Sequence, residues 1–139
     1  MSGRRTVDLA LRGATAAGLG VDAYVHAVDA SYYAAPRGGA VTQGTLFLAE
    51  TVVATVAALL VLVPVRASLR PATWLVAVAV GASALGGVLL YRYVDVGVLG
   101  PLPDMYEPAW AVRGKLLSAW AEGAALLLGA VGYLRGRPA

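Results

Sequence analysis

A chain of 139 residues is one domain's worth of protein, and at 59% hydrophobic, 14% charged and a mean hydropathy of +0.71 it has too little polar surface for a water-soluble domain. The absence of cysteine excludes a disulfide framework, thiolate metal ligands and thiol redox chemistry. A net charge of +3 does not point to nucleic acid, because the basic residues sit at the ends of apolar segments and form no continuous patch.

Arg4, Arg5 and Arg12 lead into a first apolar run, which reads as a helix over residues 7–30. Asp22 and His26 interrupt that run, and no small-x-small cleavage site precedes Pro36, so it reads as a retained helix and not a signal peptide. Pro36, Gly38 and Gly39 then mark a loop. Residues 46–65 form a second span with one charge, Glu50, about 30 Å long at 1.5 Å per residue and so long enough to cross the hydrocarbon core. Pro64, Arg66, Arg70 and Pro71 bracket a tight basic connection, and the third span, residues 72–91, carries no charge. The longest connection reads RYVDVGVLGPLPDMYE over 92–107 and is rich in Gly, Pro and aromatics. Within it Asp104 and Glu107 resemble a capping box, and Pro108 suits a first helical turn, which predicts a fourth span over 109–134 carrying Arg113, Lys115 and Glu122.

The expected fold is all-α: a polytopic membrane protein forming one domain of four transmembrane helices in an antiparallel bundle. Arg4, Arg5, Arg12, Arg66, Arg70, Arg135 and Arg137 would share one side, so the positive-inside rule puts both termini in the cytoplasm of a multi-pass cell-membrane protein. Tyr32, Tyr33, Tyr91, Tyr93, Tyr106 and Trp110 then fall at the outer interface, where amphipathic rings are favoured. Small-xxx-small spacings (Ala14 and Gly18; Ser83 and Gly87; Ala121, Ala125 and Gly129) offer faces for close helix approach. Such faces serve a bundle, a homo-oligomer or a larger membrane complex equally well.

The chemistry concentrates in LGVDAYVHAVDASYY, residues 19–33, where Asp22, the only histidine (His26), Asp29 and Tyr33 follow i, i+4, i+7 and i+11 spacing and share one helix face. An ionisable stripe at membrane depth is a functional-site hypothesis by default, since a central charge costs about 2.5–3.5 kcal/mol on insertion scales. In the four-helix topology the outer helix ends gather Asp22, His26, Asp29, Glu50, Tyr91, Arg92 and Arg113, with Glu122 deeper. The expectation is an outward-facing pocket under a lid carrying Tyr93, Asp95, Tyr106 and Glu107. Acids outnumber the lone histidine, so the pocket favours a small cation, a proton or a divalent metal held by Asp22, His26 and Glu50. The alternative structural reading pairs Glu50 or Glu122 with Arg113 or Lys115 to fix helix register.

A further reading is a pocket for a lipophilic molecule, with His26 donating to a carbonyl oxygen and Tyr24, Tyr91 or Trp110 against the ring. HAVD at the outer end of the first helix, followed by LAETVVATVAALLVLVPVRASLRPA, resembles the DoxX-like four-helix membrane proteins over about residues 20–80. Some DoxX-type proteins serve as membrane subunits of quinone-linked oxidoreductases, so the resemblance implies a quinone, with His26 and Glu50 as pocket residues. No Gly-rich phosphate loop, nucleophile elbow or metalloprotease helix is present, so binding, conduction or assembly is expected ahead of catalysis.

Overall fold

The computed structural model of the chain describes residues 2–136. Its helices are α1 (Ser2–Asp29), α2 (Gln43–Leu62), α3 (Arg70–Tyr93) and α4 (Lys115–Gly136), with a 3-10 turn at Ala67–Leu69 leading into α3 and no strand among the described residues. Three segments, α2, α3 with its leading turn, and α4, are long and apolar enough to cross a membrane. The first helix is long enough at about 42 Å. Its apolar run, however, is broken by Arg4, Arg5, Asp8, Arg12, Asp22 and Asp29.

The helices pack as a ring in which α1 lies between α2 and α4, and α3 lies against α4 with a lighter contact to α2. Close approach comes from small residues. Gly18 on α1 backs onto Ala121 and Ala125 of α4, Gly129 backs onto Val78 of α3, and Ala54, Ala57, Ala77 and Ala125 are fully buried. Ser83 and Gly87, by contrast, face a cavity instead of a neighbouring helix. The outside is apolar: Leu48, Val52, Val56, Leu59, Trp120, Leu127 and Leu134 point away from the bundle, while Thr15, Asp22 and Glu122 inside it are 0% exposed. An apolar outside around an interior that holds several buried polar groups is unlike a soluble bundle and suits lipid as the solvent.

The end that carries both termini is closed by a stack. Arg12 Nη1 donates to the Val61 carbonyl oxygen at 2.6 Å, satisfying a C-terminal acceptor of α2, and its Nε pairs with Asp8 at 2.9 Å. The guanidinium lies 5.4 Å from the ring centre of Trp74, whose buried ring rests on Gly132 of α4. The opposite end is capped by two loops tied together. Ala40 and Val41 N–H groups donate to the Pro101 carbonyl oxygen, and the Asp104 N–H donates to that of Arg37. Gly39 makes this possible, with φ +73 and a missing Cβ that would lie 2.7 Å from the Pro101 oxygen.

The larger departures of the helix limits from the sequence reading are in α1, α2 and α4. The first helix begins at Ser2 instead of residue 7. The second starts earlier, with Thr42 Oγ1 accepting from the Thr45 N–H at 3.1 Å, and ends at Leu62 because Pro64 drives Val63 into extended backbone (ψ 134). The fourth helix begins at Lys115, not at 109. Asp104 accepts from the Tyr106 N–H and Glu107 from the Ala109 N–H, so each carboxylate caps its own local turn and no capping box forms. Arg113, with φ 40, then stands in left-handed backbone immediately ahead of the helix.

Candidate functional site

Asp22 and His26 are one turn apart on α1, and Ser118 and Glu122 are one turn apart on the facing side of α4. The close α1–α4 approach at Gly18 and Ala125 brings these pairs together. His26 Nδ1 lies 2.8 Å from Asp22 Oδ1 and 3.0 Å from the Asp22 carbonyl oxygen. Ser118 Oγ lies 3.3 Å from Asp22 Oδ1 and also donates to Glu122 Oε1. One ligand atom from each of Asp22, His26 and Glu122 falls within 4.8 Å of the others. The Phe47 ring packs nearly perpendicular to the imidazole, with ring centres 4.7 Å apart, and helps hold the histidine in place.

This cluster is short of hydrogen-bond donors. A serine hydroxyl has one proton and a neutral imidazole one N–H, against four carboxylate oxygens. Asp22 Oδ2 and Glu122 Oε2 are buried without a partner, as is Glu50 Oε1 nearby on α2. Among the described residues no arginine or lysine pairs with these three acids. The cations predicted to partner Glu50 or Glu122 are engaged elsewhere: Arg113 Nε donates to Asp29 Oδ1 at 2.6 Å, and Lys115 Nζ donates to the Glu107 carbonyl oxygen.

Above the cluster lies a cavity of about 250 Å³. Of the residues expected in a pocket, His26, Asp29, Glu50 and Tyr91 line it, joined by Lys115 and Ser118. Asp22 and Glu122 lie behind His26 and Ser118 and are not part of the wall. Arg92 and Arg113 also lie off it: Arg92 stacks over Tyr93 and Trp110, and Arg113 over Tyr32. The long loop covers the cavity with Met105 and Glu107, whereas Tyr93, Asp95 and Tyr106 of the expected lid do not line it. Tyr91 is the one aromatic of the three expected against a ring ligand that reaches the cavity. Tyr24 is 67% exposed elsewhere on α1, and Trp110 packs on Tyr93 and Lys115.

Asp29 organises the entrance. It holds Arg113 and accepts from the Gly114 N–H at 3.4 Å, putting a carboxylate at the start of α4, where the helix dipole favours it. The same bond raises the Arg113 guanidinium above its ordinary value. Tyr33, on the wall nearby, has its phenol pushed up by burial and by the charges of Glu107 and Asp29. Ser118 and the inner clamp of Arg12 on Trp74 are the contributions that sequence patterning missed. The i, i+4 spacing of Ser118 and Glu122 on the small-residue face of α4 was the available signal for the first.

No known family, no curated protein and no solved structure matches this chain, so the functional reading rests on the site itself.

Proposed function

We propose that this chain is a four-helix integral membrane protein of the cell membrane, with both termini cytoplasmic, that binds a small cation in an outward-facing pocket. The observation that carries this reading is the donor shortage at the Asp22–His26–Glu122 group: two buried carboxylates, each with an oxygen lacking a donor, and no arginine or lysine beside them. A buried carboxylate without a partner is costly, and a proton or metal ion removes that cost. Glu50 and His26 on the cavity wall give the cation a path from the mouth to the cluster. α1 acts as the fourth span because its polar residues Arg12, Thr15, Asp22, His26 and Asp29 are buried against its neighbours, while Leu9, Val21, Tyr24 and Val28 turn outward.

The test is melting of the purified protein in detergent across pH and a panel of divalent ions. A cation that binds only the folded state stabilises it by about 2.7 kcal/mol at 100 times its Kd. The wild-type protein is expected to respond to at least one cation, and an Asp22→Asn, Glu122→Gln double variant to lose that response. Identical responses of the two proteins overturn the reading.

A second reading is favoured by the cavity walls, where Leu46, Phe47, Val88, Met105 and Val112 offer an apolar lining around His26 and Tyr91. That combination suits a quinone or similar lipophilic molecule and agrees with the DoxX-like resemblance. Organic extraction of the purified protein distinguishes it: a stoichiometric quinone favours this second reading.

A further inference from the structure

We infer that Asp22, His26 and Glu122 are the ligands of a divalent transition-metal ion of the zinc, manganese or iron class, coordinated at the α1–α4 contact. The inference rests on the cation reading above and names the ion class and the ligand set, which takes Glu122 of α4 where the sequence suggested Glu50.

Four features select the ion. Two buried carboxylates are neutralised by a charge of two, whereas a monovalent ion leaves one negative charge in the low-dielectric interior. An imidazole among the ligands suits a borderline transition ion, and the group has too few oxygens for calcium, which takes six to eight. The chain has no cysteine, so no thiolate is present to favour a soft ion. The side chains also have the reach. Ligand atoms about 2.0–2.2 Å from a zinc ion lie at most about 4.4 Å apart, and those of the three residues already fall within 4.8 Å.

The surroundings point the same way. Asp22 and Glu122 are 0% exposed, and each keeps one carboxylate oxygen without a donor. His26 is held by the Asp22 carbonyl oxygen and by Phe47, the kind of support that orients a ligating imidazole. Ser118 bridges the two carboxylates and is a positioning residue. His26 and Ser118 belong to the cluster and also line the cavity, so the cluster borders the cavity, as at sites that bind or pass on a further ligand.

The test uses the full chain, purified in detergent without chelator for elemental analysis, then stripped with chelator and titrated with Zn2+, Mn2+ and Mg2+. We expect about one equivalent of a transition ion, no competition by Mg2+, and nitrogen hyperfine coupling to the imidazole in the spin resonance of the Mn2+ form. His26→Ala and Glu122→Gln should each weaken binding at least about 100-fold, and Glu50→Gln less than tenfold. Should the alanine variant fail to fold, Glu122→Gln carries the comparison, because the amide keeps the shape of the acid. A larger loss from Glu50→Gln than from Glu122→Gln overturns the ligand set. A stripped protein that is unaffected by every divalent ion yet stabilised by acidification overturns the metal inference and leaves the cation reading standing with the proton as its ion. No response to either overturns both.

Discussion

Gly132→Ala tests the closed end of the bundle. A Cβ at that position would stand 2.6 Å from Cδ2, Cε2 and Cε3 of Trp74, when ordinary carbon contacts begin near 3.4 Å. The indole is 1% exposed with Arg12 stacked near it, so it has little room to retreat. Overpacking of this kind costs about 1–3 kcal/mol. Against that, alanine is favoured over glycine in a helix by about 0.8–1.0 kcal/mol, which leaves a net loss of about 0–2 kcal/mol. In a Trp74→Leu background the collision is gone and only the propensity gain remains, so the same substitution should stabilise by about 1 kcal/mol. The assay is a double-mutant cycle on unfolding free energies from detergent denaturation, with an expected coupling of about 1–3 kcal/mol. An effect of Gly132→Ala that is equal in the two backgrounds within about 0.5 kcal/mol refutes the reasoning.

Gly114→Ala should destabilise by about 1–3 kcal/mol, because its Cβ would collide with Val25, and Val25→Ala should restore most of the loss in the same melting assay. Tyr33 should ionise above the ordinary tyrosine range by ultraviolet titration. Because its folded value lies above that of the unfolded chain, its contribution is intact below about pH 10 and is lost as pH rises beyond that. Glutamine at Glu50 should be milder than lysine in expression and melting, since lysine brings a long charged side chain onto an enclosed wall; equal tolerance would mean that the position faces open water. Impermeant reagents applied to intact cells should label cysteines placed at Arg37 or Asp95 and not tags at either terminus; a labelled terminus reverses the orientation.

The apolar spans of α2, α3 and α4 were legible because length and hydropathy are local properties, and so was the pairing of Asp22 with His26, which lie one turn apart on the same helix. Glu122 was read as lying deeper in the same pocket, but its place directly beside that pair depends on which helices are neighbours and at what depth they cross. Gly18 against Ala125 decides both, and helical periodicity along one segment encodes neither. The late start of α4 was hidden for a related reason. Asp104, Glu107 and Pro108 look like a helix start locally, but the helix begins where Asp29 of α1 grips Arg113 and Gly114, a contact spanning most of the chain. The first helix is less apolar along its length than the other three because of its charges, although five of its polar side chains are buried in the bundle.

The contact between the first and last helices has a consequence for how the protein is made. Asp22 and Ser118 are 96 positions apart, and Asp29 and Arg113 are 84 apart. During synthesis α1 is made before α4, so Asp22 and Asp29 exist while Ser118 and Arg113, their partners across the bundle, are not yet translated. An acid left without its partner costs about 2.5–3.5 kcal/mol at the centre of a bilayer on insertion scales. Until α4 is made, the buried acids of α1 lack the groups that cover them, so a chain stalled before α4 should leave the first helix open to proteolysis.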